Sequence, residues 1–161
     1  MAKISILTYP NPSLRKKAQN VFSFDSVLKN LVEEMSEIMY ELNGIGLAAN
    51  QVGSPLNFFI ADIGDGLNSF INPEITFVSE ELDTMEEGCL SLPGVSANVT
   101  RPDAVTIKYN DLSGKLLNKT YTGLFAKVAQ HEIDHLRGKI IIDHQNIFQS
   151  VFNKAKLKFL K

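Results

Sequence analysis

The chain has 161 residues, a net charge of −2 and an apolar fraction of 44%. These values fit one domain, spanning 1–161, with a real hydrophobic core, and they exclude an acidic disordered chain and a surface built globally for nucleic acid, so no DNA partner is expected. The lone cysteine allows no intramolecular disulfide and suits a reducing compartment. The opening Met1-Ala2-Lys3-Ile4-Ser5-Ile6-Leu7 turns polar too soon for a signal peptide, and no apolar run approaches membrane-spanning length. A soluble, intracellular protein without a membrane partner is the expectation.

Pro10 and Pro12 punctuate the start, where Asn11 can cap a short turn through Leu14-Arg15-Lys16-Lys17. From about Asp25 to Asn43, Val27, Leu28, Leu31, Val32, Met35, Ile38, Met39 and Leu42 recur at three-and-four spacing, which predicts a long helix. Asp25 or Ser23 can cap its start, and Gly44 suits the left-handed position past its end. Gly44-Ile45-Gly46-Leu47-Ala48-Ala49-Asn50-Gln51 follows; its small residues permit close packing, and taken alone the run reads as packing rather than function. Strands are predicted at Leu56 to Ala61, Glu74 to Val78, Glu80 to Met85, Ala104 to Tyr109 and Lys115 to Tyr121, the last two joined by a hairpin-like Asn110 to Gly114.

A second helix is expected with Thr122 as N-cap and Gly138 just past its end. Ile140-Ile141-Ile142 reads as a short buried strand. From Asn146 on, Ile147, Phe148, Val151, Phe152, Ala155 and Phe159 make an apolar helical stripe, with Lys154, Lys156, Lys158 and Lys161 mostly on the other side. That pattern reads as a packing helix with a solvated face. The expected class is α+β: small antiparallel or mixed sheets around a central helix, with a long helix in the N-terminal half and another at the C-terminus.

The chemistry gathers on Gln130-His131-Glu132-Ile133-Asp134-His135-Leu136-Arg137-Gly138. Histidines four apart share one helix face, so both imidazoles can reach one metal ion. Glu132 falls about 100° from His131 and about 60° from His135, so it can lean over the metal as a general base without ligating it. An apolar wall from Leu124 and Val128 leads along the same helix towards the metal and suits a hydrophobic substrate side chain.

A catalytic site of this kind takes three protein ligands. No glutamate follows Glu132, and Ile141 stands where some zinc proteases place a third histidine, which leaves Cys89, Asp143 and His144. Cys89, the only cysteine, sits among small residues in Glu87-Gly88-Cys89-Leu90-Ser91 and is the favoured third ligand. Two alternatives stay open: a His-Glu-x-x-His zinc metallopeptidase cutting internal bonds, and a closed structural site completed by His144.

Three segments together, Gly44 to Gln51, Glu87 to Ser91 and Gln130 to Gly138, resemble the peptide deformylases in order and spacing over nearly the whole chain. The resemblance implies a single catalytic domain that removes the N-formyl group from nascent formyl-methionyl peptides, releasing formate. It implies Cys89, His131 and His135 as metal ligands and Glu132 as acid and base. Gln51 and the Leu90 backbone N–H would hold the oxyanion. Gly46, Gln51 and Leu90 would pinch the acyl pocket, while Ile45, Leu124, Val128 and the stem of Glu87 would receive the methionine. Arg101 matches a family arginine that pairs with Glu87; near Ser96 some relatives carry a basic residue. The resemblance points to Fe(II), and the ligand types also admit Zn, Ni or Co. It further implies a bacterial-type cytosol, with an organelle or a viral host as other settings. The lysine-rich tail suggests contact with the ribosome.

Overall fold

A computed structural model describes residues 4–159, and in it three α-helices and seven strands form an α+β fold. The first helix, α1 (Ser26–Glu41), starts where the Asp25 carboxylate accepts from the N–H groups of Val27 and Leu28 at 3.0 and 3.1 Å. It buries Leu28, Val32, Met35, Ile38 and Met39, while Val27 and Leu42 of the predicted stripe face solvent. Past its end the left-handed residue is Asn43, with φ 55, not Gly44. Gly44 is small for another reason: a Cβ there would come within 2.9 Å of Leu90 Cδ1.

Five strands form one antiparallel sheet in the order β1 (Gly46–Ala48), β2 (Phe58–Ala61), β3 (Asn68–Val78), β6 (Ala104–Asn110), β7 (Leu116–Thr122). Two more, β4 (Leu82–Gly88) and β5 (Ser96–Pro102), pair as a separate antiparallel ribbon. The expected strand at Glu74 is the second half of a longer β3, and β1 and β5 are additional. All named strand pairs are antiparallel; the parallel element is one isolated bridge, Gln19 to Leu56.

The sheet is covered on both faces. Phe59 and Ala61 pack with Phe125, Ala129 and Ile133 of α2 (Gly123–Leu136) on one side; Phe58 and Ile60 pack with Met35 and Met39 of α1 on the other. A strand sealed on both faces reads as a continuous apolar run, as Phe-Phe-Ile-Ala does. Phe59, Phe70, Tyr109, Tyr121 and Phe125 form contacting rings between sheet and α2. This aromatic floor fixes the helix that carries the histidines.

A third cluster joins Leu92, Val95, Ala97 and Val99 to Ile140, Ile141, Ile142 and Leu157. The isoleucines are buried as expected, but Ile141–His144 is a 3-10 turn rather than a strand, closed by Asp143 accepting from the Ile140 N–H at 2.9 Å. The last helix, α3 (Ile147–Phe159), departs most from the sequence reading. It meets the body along one line, through Ser150 and Leu157 seven residues apart, and so turns the predicted packing stripe outward. Phe148 is 84% exposed and Phe159 87%. Met1 to Lys3 and Lys161 lie outside the described residues. Among those described, no helix is long and apolar enough to cross a membrane.

Candidate active site

Helix α2 carries His131, Glu132 and His135 on its buried side, and Gly138 takes the expected left-handed place after it, with φ 77. Thr122 precedes the helix as expected but makes no side-chain cap. The turn after β4 delivers Cys89. Its Sγ lies 3.2 Å from His135 Nε2, which lies 3.2 Å from His131 Nε2, and the three ligand atoms fall within 4.8 Å of one another. His144 is elsewhere: its Nε2 meets Asp134 Oδ2 at 2.9 Å.

One imidazole is oriented from behind. His131 Nδ1 faces Glu87 Oε2 at 2.9 Å, so the proton belongs on Nδ1 and the Nε2 lone pair points into the cluster. Arg101 grips both Glu87 oxygens, at 2.7 and 3.0 Å, and reaches Asp134 Oδ2 at 2.8 Å. Burial would raise the Glu87 carboxyl, but hydrogen bonds from His131 and Arg101 outweigh it and hold it below the usual range. The Asp134–Arg101 link is an addition of the fold. Nothing in the residue spacing points to it, because Asp134 and Arg101 are 33 residues apart.

Gln51 is fixed at both ends of its amide. Its Oε1 accepts from the Ala48 N–H at 2.9 Å, so its Nε2 must face outward, and it donates to Cys89 Sγ at 3.6 Å and Ser91 Oγ at 3.1 Å. Among the described residues nothing accepts from the Leu90 N–H. The Gln51 amide is therefore a donor in contact with the cysteine of the cluster.

Glu132 is buried, and its Oε2 has no hydrogen-bond partner among the described residues. Burial pushes its carboxyl up, against the attraction of His131, to about 7. A carboxyl in that range both takes and gives a proton near neutrality. Gly46 is small because of it: a Cβ would stand 2.5 Å from Glu132 Oε1.

A cavity of about 560 Å³ opens over these groups. Ile45, Gly46, Gln51, Glu87, Leu90 and Val128 line it with Cys89, His131 and Glu132, and Leu92 and Val95 add apolar wall that the sequence reading did not name. Leu124 is not on that wall; it is 44% exposed one turn away on α2. The donor set fits a divalent transition metal: one thiol and two imidazole nitrogens converge, and a carboxylate with a free oxygen stands beside them.

A sequence profile described as polypeptide deformylase matches residues 3–150. The chain belongs to the peptide deformylase family. It is 40% identical over 152 residues to the peptide deformylase of Thermotoga maritima, spanning 94% of this chain and 93% of that one. It is 43% identical over 151 residues to that of Rhodopseudomonas palustris, spanning 89% and 86%. The crystal structure of the Legionella pneumophila peptide deformylase superposes with a TM-score of 0.93 at 38% identity, covering 99% of this chain and 95% of that one. The Ehrlichia chaffeensis deformylase, solved in complex with actinonin, gives 0.96 at 32% identity over 100% and 99%. As a peptide deformylase the chain is a metal-dependent hydrolase that removes the formyl group from nascent formyl-methionyl peptides, and the rival of an internal-bond metallopeptidase falls away.

Proposed function

We propose that residues 1–161 act as one catalytic domain in which Cys89, His131 and His135 hold a single divalent ion, Fe(II) in the cell. The observation that carries this is the convergence of those three ligand atoms beside Glu132. A divalent ion held there would supply a Lewis acid, and so lower the pKa of a water towards neutrality. Glu132, whose Oε2 has no hydrogen-bond partner among the described residues, would take the proton of the water that attacks the formyl carbon. Gln51 Nε2 and the Leu90 N–H donate to the oxygen of the tetrahedral centre, where charge develops. Glu132 then gives its proton to the departing amine; the C–N bond breaks, and formate and a free N-terminus are released.

Gly46, Gln51 and Leu90 crowd the acyl end and select formyl by size. Ile45, Val128 and the stem of Glu87 receive the methionine side chain, with Leu124 at most an outer contact. Actinonin is expected to occupy this same cavity. The setting is a bacterial-type cytosol, and the outward apolar face of α3 with Lys154, Lys156 and Lys158 contacts the ribosome, where the substrates emerge. Removing α3 is expected to reduce ribosome co-sedimentation; unchanged co-sedimentation would refute that contact.

The test of the reaction is formate release from formyl-Met-Ala by anaerobically purified protein, with an unformylated, internally cleavable peptide beside it. Formate release without internal cleavage is expected; preferred internal cleavage would remove the reading.

A further inference from the structure

Asn50 and Gln51 are neighbours in the 3-10 turn Ala49–Val52, yet their amides serve different parts of the ligand cluster. Gln51 Nε2 turns to Cys89 and Ser91, while Asn50 Nδ2 donates to the main-chain oxygen of His135 at 2.5 Å. Asn50 is 4% exposed and His135 1%. Neither lines the large cavity, so both lie on the closed side of the cluster.

The end of α2 does not need the Asn50 amide. His135 O already accepts from the Gly138 N–H at 2.9 Å, and Leu136 O from the Ala18 N–H at 2.8 Å. A buried amide also brings a carbonyl that must be matched. Asn50 Oδ1 has no partner among the described residues. The amide cannot be turned round, because Oδ1 would then face the His135 oxygen.

His135 has the complementary need. Its Nε2 lies 3.2 Å from both Cys89 Sγ and His131 Nε2, so the lone pair belongs to the cluster and the proton to Nδ1. A ligating histidine almost always donates that second N–H. His131 gives its own to Glu87, but His135 Nδ1 is buried and has no acceptor among the described residues. The buried side-chain polar atoms left without a partner there are Asn50 Oδ1, Glu132 Oε2 and His135 Nδ1. Glu132 lines the open cavity. That leaves one acceptor, Asn50 Oδ1, and one donor, His135 Nδ1, on two side chains of the same closed side.

We propose that Asn50 is a positioning residue for His135: its N–H holds the His135 main chain, and its carbonyl takes the His135 Nδ1–H through one buried water. The proposal rests on the reading of Cys89, His131 and His135 as metal ligands. Such a water accepts from Nδ1–H and donates to Oδ1, so both atoms are satisfied together. His131 is thus backed by a carboxylate and His135 by a neutral amide, which fixes the tautomer and ring plane without adding charge. Because Gln51 is the next residue, the same short turn also sets the oxyanion donor relative to this ligand.

The test uses protein labelled with 15N-histidine and loaded with Zn(II), reading imidazole N–H signals by NMR and zinc affinity by chelator competition. In the wild type His135 is expected to carry its proton on Nδ1, held against solvent exchange. Asn50→Leu keeps the size of the side chain and removes both amide contacts. It is expected to move the His135 Nδ1–H signal upfield, leave that of His131 in place and weaken zinc about 10- to 100-fold. Asn50→Ala is expected to speed exchange of the same proton. A wild-type His135 protonated on Nε2, or with an Nδ1 proton open to solvent, would overturn the proposal without any variant. So would unchanged zinc affinity and ring signals in folded Asn50→Leu with only a lower urea midpoint, which is what a merely structural residue gives. Failure of the wild type to bind zinc would instead remove the metal-ligand reading, and the proposal with it.

Discussion

Glu87 of β4 and Arg101 of β5 form a buried two-point ion pair, at 2.7 and 3.0 Å, and the same Glu87 oxygen that Arg101 holds at 3.0 Å orients His131. The pair therefore ties the loop bearing Cys89 to the helix bearing both imidazoles. Arg101→Ala leaves a buried carboxylate without its cation, which costs about 3–5 kcal/mol. Glu87→Gln keeps the volume and removes the charge that orients His131. We expect metal affinity to fall about 10- to 100-fold in Glu87→Gln. Metal titration against a competing chelator measures it, and unchanged affinity would refute the orienting role.

Asp134 makes stability sensitive to acid. Burial raises its carboxyl, but hydrogen bonds from His144 and Arg101 outweigh that and hold it at about 2, below the ordinary 3.8. Because the folded value is the lower one, the stabilisation is complete above about pH 4 and is lost as pH falls towards 2. A shift of that size corresponds to about 2 kcal/mol. Urea midpoints between pH 6 and 2 should fall more steeply for the wild type than for Asp134→Asn. Parallel pH profiles would contradict this.

Gly46 faces Glu132 so closely that one methyl group must displace the carboxylate. Gly46→Ala is expected to lower kcat by about a hundredfold while the protein keeps its fold and its metal, since small misplacements of a reacting group are that costly. Near-normal turnover would show that Glu132 has room to move without loss.

Val128 lines the cavity and Leu124 does not. Val128→Ala removes two methyl groups from the methionine side of the cavity and should raise KM about tenfold, the equivalent of roughly 1.5 kcal/mol of apolar contact. Leu124→Ala should stay within twofold. Equal effects would place the substrate side chain against both residues.

His144 is engaged with Asp134 rather than with the ligand atoms. His144→Ala is expected to retain metal and formate release. Loss of the metal with unfolding would support a closed structural site in place of a catalytic one.

Much of this site was legible in the chain because its chemistry obeys local periodicity. His131, Glu132 and His135 announce themselves through the four-residue repeat of one helix, and Cys89 through being the only thiol available to complete them. The long helix was equally plain, since its buried face repeats every three or four residues. What the sequence hid depends on distant packing. β5 alternates Ala97, Val99 and Arg101 inward, and an arginine in an inward place breaks the apolar rhythm that marks a strand. β1 is three residues long and gives no period at all. Asn43 takes the left-handed turn, while Gly44 lies against Leu90, 46 residues further along the chain. The outward stripe of α3 was misassigned because amphipathicity tells that a helix has two faces and not which of them the body covers.

The most direct measurement is formate release from formyl-Met-Ala by Glu132→Gln protein, with metal content determined on the same sample. With Cys89, His131 and His135 holding the ion and Glu132 moving the proton, the metal stays at about one per chain while turnover falls by at least about a hundredfold. Full metal with near wild-type release of formate would contradict the account.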